Sequence, residues 1–442
     1  MFTRQQFLQL TEEREGKQMR RLIFVATAAM AALGVVVGAA FAKQAAPAST
    51  KTVTVSYFTF SAAPDHLNTL KALIGIFEKK HPNIQISFQT APYSDYFTKL
   101  QTQIAGGQAP DTFELDYGSF YGYATSGALM NLSKVAKTDK TFKPAIYYPK
   151  AYQAFAVGKT QFGLPESFSD VLLFYNKDMF KAAGVPFPTA KWTWKDEMAA
   201  AKKLTNASKG QWGDYQPIQF YEFYKVLAQN GGTFFNAKKT KATFDSPAGI
   251  AALNWLLSKP GTVMPTQEEQ AGLADDAMFK LGKIAMWHNG IWQFSAMKDA
   301  PFQWDVVVEP AGKVKANHFF ANTVVASSKT SHAKEAWEWL KFLAGSHDSV
   351  KARIGSSWEL APVQDKAAFQ AYLKQRPPVN RQAVLDALNN PVLTPTIKSE
   401  AQLQDIVGKA LQKAQLGQVS AAQALHAAAG RGAPRVPRLR SR

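Results

Sequence analysis

No cysteine occurs in the 442 residues. That excludes disulfides, thiolate metal sites, cysteine nucleophiles and a lipid carried on a cysteine behind an export signal. Acidic residues are scarce: 33 Asp and Glu stand against 51 Lys and Arg, a net charge of +18. Residues 1–42 carry +2 of it and five Arg follow Gly430, which leaves about +11 on the body of the chain. Such a surplus first suggests a nucleic-acid binder. The basic residues are dispersed over amphipathic segments, however, with no aromatic–basic motif among them. The expectation is therefore no nucleic-acid partner, a solvated basic surface, and a disordered basic tail over 430–442. Gly-x-Ser-x-Gly, a phosphate loop and His-Glu-x-x-His are missing as well. His288 beside Trp287 lacks the spacing of a metal site, and His81, His318, His332 and His347 are scattered at turns and helix ends. Asp275-Asp276 reads as helix-start charge, and Tyr147-Tyr148 before Pro149 as packing. No catalytic residue, metal or cofactor is expected.

Long apolar runs are also few. The run Leu22–Ala42 follows Lys17, Arg20 and Arg21 and ends Ala40-Phe41-Ala42 before Lys43. A basic start, an apolar stretch and a small-x-small ending describe a secretory signal, with Met19-Arg20-Arg21 as its natural beginning. As a helix the run would rise about 31 Å, enough to span a bilayer, so a retained anchor is the rival reading. Its Ala and Gly content favours cleavage near Ala42, with residues 43–50 as a flexible lead-in. An exported chain without a lipid-bearing cysteine is expected in a periplasm.

What the chain has in quantity is aromatic side chains, 12% of all residues, many of them in polar loops. Val53–Phe60 is β-branched and aromatic, so a strand. Leu67, Leu70, Leu73, Ile74 and Phe77 keep a helical period over Asp65–His81. Ile84–Phe88 alternates as a strand, Asp95–Ala105 is helical, and Thr112–Leu115 is a short strand after the turn Gly106–Asp111. Strand and helix in alternation predict a parallel sheet with crossover helices. After Gly163 the pattern restarts: a turn holding Pro165, Glu166, Ser167 and Ser169, a strand Val171–Tyr175, then helices Lys177–Ala183 and Thr193–Leu204. Strands are expected at Ile284–Trp287, Trp304–Glu309 and Thr323–Ala326, and a strongly periodic helix at Ala333–Ala344. Helices follow through Ala429. The class is α/β.

Six stretches in order carry a family resemblance. They are Ala105-Gly106-Gly107-Gln108-Ala109-Pro110-Asp111; Gly163-Leu164-Pro165 with Phe174-Tyr175-Asn176-Lys177-Asp178-Met179-Phe180; Trp192-Thr193-Trp194-Lys195-Asp196-Glu197; Phe279-Lys280-Leu281-Gly282-Lys283-Ile284-Ala285-Met286; Gly290-Ile291-Trp292; and Ala336-Trp337-Glu338-Trp339-Leu340-Lys341-Phe342-Leu343. The matches run from about Val53 to Gly430, nearly all of the expected mature chain. The chain resembles the bacterial extracellular solute-binding proteins of family 1, the sugar-binding subunits of ABC importers, similar to maltose and multiple-sugar binding proteins. The resemblance implies a two-lobed periplasmic-binding-protein fold (type II), each lobe a sheet flanked by helices, with the ligand cleft between lobes. Residues 51–163 with about 312–345 are expected to form lobe 1, and 164–311 with about 346–429 lobe 2. It also implies a monomer that hands a carbohydrate to an inner-membrane ABC permease.

A sugar offers an apolar C–H face and a rim of hydroxyls, so its site calls for flat aromatic rings beside carboxylates and amides. Buried polar groups of that kind discriminate epimers, because a wrong hydroxyl leaves one unpaired. In loops near strand ends the candidates are Phe58 and Phe60, Asp116 and Tyr117, Glu166 and Ser167, Trp212, Trp287, Asn289 and Trp292, and Trp358. Tyr57 and Phe58 point to opposite sides, so at most one faces a cleft. Two alternatives stay open. One is the same fold around a non-sugar solute: a polyamine, a glycerophosphodiester or iron. The other is an exported carbohydrate-active enzyme, which needs two carboxylates ~5–10 Å apart; Asp116 and Glu166 are the pair for that reading.

Overall fold

The computed structural model describes residues 52–397 and 399–432. The expected signal, the lead-in and most of the basic tail lie outside the described residues. The chain opens as β1 (Val53–Thr59), α1 (Pro64–Lys80), β2 (Ile84–Thr90), α2 (Tyr93–Ala105), β3 (Thr112–Asp116) and α3 (Tyr117–Thr125). β1 pairs in parallel with β2 and β3, as the alternation of strand and helix requires. Pro64 starts α1 at a position where its missing N–H costs nothing.

The largest departure from the sequence reading is β4 (Gly163–Asn176). The expected turn at Pro165–Ser169 does not exist; one strand of 14 residues, buried throughout, runs through it. Its first half pairs with β7 (Asn317–Ala326), which also pairs with β3. Its second half pairs with β5 (Met286–Gly290) and β6 (Trp304–Val307). The resulting sheet runs β2-β1-β3-β7-β4-β5, with β6 also on β4. The polar residues that mimic a turn sit at a β-bulge, where the register shifts between Pro165 and Ser167 and leaves Glu166 without an opposite residue. β5 likewise starts two residues later than expected and runs on to Gly290, so Asn289 belongs to a strand rather than a loop and Trp287 lies inside that strand, not at its end.

Between the second half of β4 and β7 come α4 (Trp194–Leu204), α5 (Phe220–Gln229) and α6 (Pro247–Leu257). Thr193 caps α4 rather than forming its first turn: its backbone N–H donates to Asp196 at 2.8 Å in a capping box. α7 (Ala333–Gly345) and α8 (His347–Ser356) follow β7, and α8 packs on α1. α9 (Glu400–Gln415) and α10 (Ala421–Gly432) close the described chain. The core divides in a way that frames the site. Phe58, Tyr96, Leu100, Phe113, Phe120 and Phe155 form one cluster under β1, β3, α2 and α3. Phe220, Phe223, Leu253, Leu403, Val407 and Leu425 form a separate one joining α5, α6, α9 and α10. A third runs along both halves of β4. Among the described residues no helix is long and apolar enough to cross a membrane.

Candidate functional site

The carboxyl ends of β1, β2 and β3 deliver Phe60, Tyr93 and Asp116 to one edge of the sheet, where ligands gather in open α/β sheets. Asp116 caps α3, accepting the Ser119 N–H at 2.7 Å, and accepts a second hydrogen bond from the Tyr93 hydroxyl. Facing them are Tyr221 on α5, Phe320 on β7 and Trp292 in the short turn after β5. The rings form an arc, with centroid separations of 5.3 Å from Phe60 to Tyr93, 5.9 Å to Tyr221, 5.6 Å to Phe320 and 5.9 Å to Trp292. Gly290 makes room for the last: a Cβ there would lie 2.0 Å from the Trp292 ring. Tyr117 is half-buried and packs edge-on against Phe155, 6.2 Å between centroids.

Beneath the arc lies a polar floor built on the two strands that run through the middle of the sheet. Ser167 on β4 donates to Glu359, and Asn322 on β7 donates to Ser167 at 3.1 Å and to Glu359 at 3.2 Å. Glu166 forms a buried ion pair with Arg353 of α8. The guanidinium lies 4.3 Å from the Trp358 ring centroid, and the other partner of Trp358 is His66 of α1, stacked at 4.8 Å. The main chain at Trp292 lies beside His66, so this stack touches both sides of the cleft. Burial raises the Glu166 carboxyl to about 7 against the pull of Arg353, with Glu359 pushing the same way as burial. Burial also raises Glu114, beside Glu166, well above the carboxylate range. Burial lowers His66, which favours its neutral imidazole.

Of the residues expected from sequence, Phe60, Asp116, Trp292, Ser167, Glu166 and Trp358 are thus assembled around one cleft. Of the other five, Tyr117 packs on Phe155, Asn289 is bonded to Asp275, and three rings lie in the interior. Phe58 is buried behind Tyr96, 4.4 Å between centroids. Trp212 is held by backbone pairing to Lys283 and packs in the core. Trp287 is 0% exposed, stacks on Phe279 at 5.1 Å and donates its indole N–H to Asp275 at 2.8 Å. These three rings are interior packing: Phe58 points from β1 into the cluster with Tyr96 and Phe113, and β5 and the 212–216 segment run inside the layer rather than at its rim. Asn289 also donates to Asp275, at 3.1 Å, which gives that acidic residue a structural task beyond helix-start charge. Sequence reasoning missed Tyr93, Tyr221, Phe320, His66 and Arg353. Tyr221 and Phe320 sit in apolar runs that read as core, and Arg353 is an ordinary helical arginine until its partner across the sheet is known.

Behind the cleft is a second polar cluster that the sequence did not reveal. Glu197, Asp214 and His288 bring ligand-type atoms within 4.8 Å of one another, and Glu222, His288 and Glu309 do the same. Each set already holds a cation. Lys259 Nζ donates to Asp214 at 2.6 Å and to Glu197, and Lys225 Nζ lies 2.5 Å from Glu222 and 2.7 Å from Glu309. Burial alone would lower His288, but the carboxylates of Glu197 and Asp214 raise it well above the ordinary imidazole range. Three buried cations therefore face four buried carboxylates. His318, 3.7 Å from Glu309, carries the cluster forward to the cleft: its Nε2 donates to the Tyr221 carbonyl at 2.7 Å and its ring stacks on Phe320 at 5.3 Å.

A chain that crosses twice between strand sets, with an aromatic and polar cleft at the crossing, defines the class of two-lobed type II binding proteins. Residues 63–347 match the bacterial extracellular solute-binding protein family, and the chain belongs to it. The structure superposes on an ABC substrate-binding protein of Listeria monocytogenes, solved in complex with cycloalternan, with a TM-score of 0.83 and 42% identity over 86% of this chain and 98% of that one. A galactooligosaccharide-binding protein of Bacillus subtilis is 24% identical over 82% of this chain and 85% of its own length. A multiple sugar-binding protein of Streptococcus mutans is 25% identical over 66% and 71%. The family is one of extracellular solute-binding proteins serving transport rather than enzymes.

Proposed function

We propose that this protein captures a carbohydrate, most naturally an oligosaccharide, in the periplasm and delivers it as a monomer to an inner-membrane ABC permease. The observation that carries the reading is the arc of Phe60, Tyr93, Tyr221, Phe320 and Trp292 over the hydrogen-bonding floor of Ser167, Asn322 and Glu359. Flat rings cover the C–H faces of sugar rings while the carboxylate and amide take hydroxyls. The Listeria relative, the nearest in identity of those described above, was solved with a cyclic saccharide, which supports the same ligand class here.

The parts divide accordingly. Residues 52–163 with the end of β7, α7 and α8 form the first lobe; the second half of β4 through Ala316 forms most of the second, with α9 and α10. The packing of α8 on α1 supports placing that helix with the first lobe, beyond the boundary near 345 expected from sequence. A ligand touching both lobes favours the closed arrangement by its differential affinity. Asp116 is committed to a helix cap and Glu166 to Arg353, which favours binding over glycoside hydrolysis. Export through a signal in residues 1–42, cleaved near Ala42, would give the site access to external sugars.

The test is a thermal melt against cycloalternan and malto-, galacto- and manno-oligosaccharides. The cognate sugar at a hundredfold over its Kd should add about 2.7 kcal/mol of stability. No shift with any saccharide, alongside a shift with a polyamine or a glycerophosphodiester, would overturn the reading. Product formation on long incubation would move the protein to the enzymes.

A further inference from the structure

A hydrogen-bonded chain joins the two separate hydrophobic clusters across the mouth of the cleft. On one side stand Asp116 and Tyr93, rooted in the cluster of Phe58, Tyr96 and Phe120. On the other stand Tyr221 of α5 and Gln404 and Glu400 of α9, rooted in the cluster of Phe220 and Leu403. The donors can be assigned without conflict. The Tyr93 hydroxyl donates to Asp116, so its oxygen accepts from the Tyr221 hydroxyl. The Gln404 amide then donates to the Tyr221 oxygen at 2.9 Å and to Glu400. At the same seam α3 and α9 come into direct contact through Gly118. A Cβ there would lie 3.0 Å from Glu400 Oε1 and 3.1 Å from the Thr394 methyl. A cavity of about 290 Å³ runs alongside, lined by Phe97, Gln101, Ser119, Tyr123 and Glu400.

We propose that Tyr93, Tyr221, Gln404 and Glu400 form a latch that holds the lobes together in the ligand-free protein and that loosens when Glu400 ionises. The contact is made of hydrogen bonds and ring edges rather than a shared core, and Tyr93 is partly exposed, so water can replace each bond as the seam opens. The groups facing Glu400 are the Asp116 carboxylate, the phenols of Tyr123, Tyr221 and Tyr224, the Gln404 amide and the Thr394 side chain. None is a cation. Burial, with Asp116 next, raises the Glu400 carboxyl from 4.5 to about 8, and the Gln404 hydrogen bond only partly opposes this. Separating the lobes exposes Glu400 and returns it towards 4.5. Closing therefore takes up a proton between those values, and closure weakens as pH rises from about 4.5 to 8 by up to tenfold per unit.

The inference goes beyond the carbohydrate reading, and its test uses no sugar. The absence of native cysteine lets spin labels be placed at Lys99→Cys on α2 and Gln412→Cys on α9, both exposed, in the otherwise intact chain. Double electron–electron resonance should show a short separation at pH 5.5 and a growing long-distance population up to pH 8.5. Glu400→Gln, which keeps the shape and cannot ionise, should stay short at both. Tyr93→Phe, and Gly118→Leu as a steric wedge, should lengthen the separation at pH 5.5. A distribution in unsubstituted protein that does not move with pH would refute the proposal. So would Glu400→Gln responding to pH as the parent does.

Discussion

Replacing Lys259 by Met tests how the interior behind the cleft is held. The ammonium is buried, donates to Asp214 at 2.6 Å and to Glu197, and lies 4.7 Å from the Trp255 ring centroid. Met fills a similar volume, so the loss is electrostatic rather than a cavity. Two carboxylates that shared Lys259 and His288 would be left with His288 alone. Removing one partner of a buried ion pair costs about 3–5 kcal/mol. The cost should depend on pH in a definite direction. In the native protein burial opposes ionisation of Asp214, but Lys259 and His288 outweigh it and hold the carboxyl well below its ordinary value. That group stabilises the fold above about pH 4 and ceases to as pH falls through its depressed value. Without Lys259 the Asp214 carboxyl retains its proton to higher pH, so the deficit is smallest near pH 5 and widest near pH 8. Guanidinium unfolding followed by tryptophan fluorescence at pH 5, 6.5 and 8 measures it. A second readout follows from the geometry of Glu197, Asp214 and His288. Once the competing ammonium is gone, Zn²⁺ should raise the melting temperature of Lys259→Met and leave the native protein unchanged. A deficit below about 1 kcal/mol at pH 8, or one that does not vary with pH, would refute the account of this cluster.

Two tryptophans that look alike in sequence should behave oppositely. Trp212→Ala empties a core position and should lower stability by about 3–5 kcal/mol in denaturant unfolding, whereas Trp292→Ala should leave unfolding nearly unchanged and weaken sugar binding about tenfold to a hundredfold in titration calorimetry. Glu166→Gln should be a variant whose cost depends on pH: folding raises that carboxyl from 4.5 to about 7, so the native protein loses stability relative to Glu166→Gln by roughly 3 kcal/mol as pH climbs through that window, and a constant difference from pH 4.5 to 7.5 in unfolding experiments would count against the assigned shift.

The fold was legible where local rules decide. The helical period of Leu67, Leu70, Leu73 and Phe77, the Thr193–Asp196 cap and the strand–helix alternation before Asp116 all act over a few residues, and all are present. The Pro165–Ser169 stretch misled because its composition is that of a turn. The flanking strand β7 supplies its backbone partners, Arg353 its counter-charge and Glu359 its hydroxyl partner, and none is near in sequence. The candidate site was legible by residue type and not by direction. Phe60 and Phe58 are two residues apart and Trp292 and Trp287 five, and nothing in composition separates a ring at a strand's rim from one inside the layer.

By itself the sequence determined the α/β alternation, the family through six motifs in order, the absence of any thiol chemistry and a strong surplus of positive charge. The tertiary structure alone decided which rings face one another, that Lys225 and Lys259 stand where cations would otherwise be needed, and that Tyr93 meets Tyr221 across a separation of 128 residues. The division has a physical cause. Helix period, capping and turn chemistry are short-range and written in consecutive residues. Desolvation, charge pairing and ring contact depend on which distant elements the β4 and β7 crossings bring to one place, and no window of sequence contains both partners.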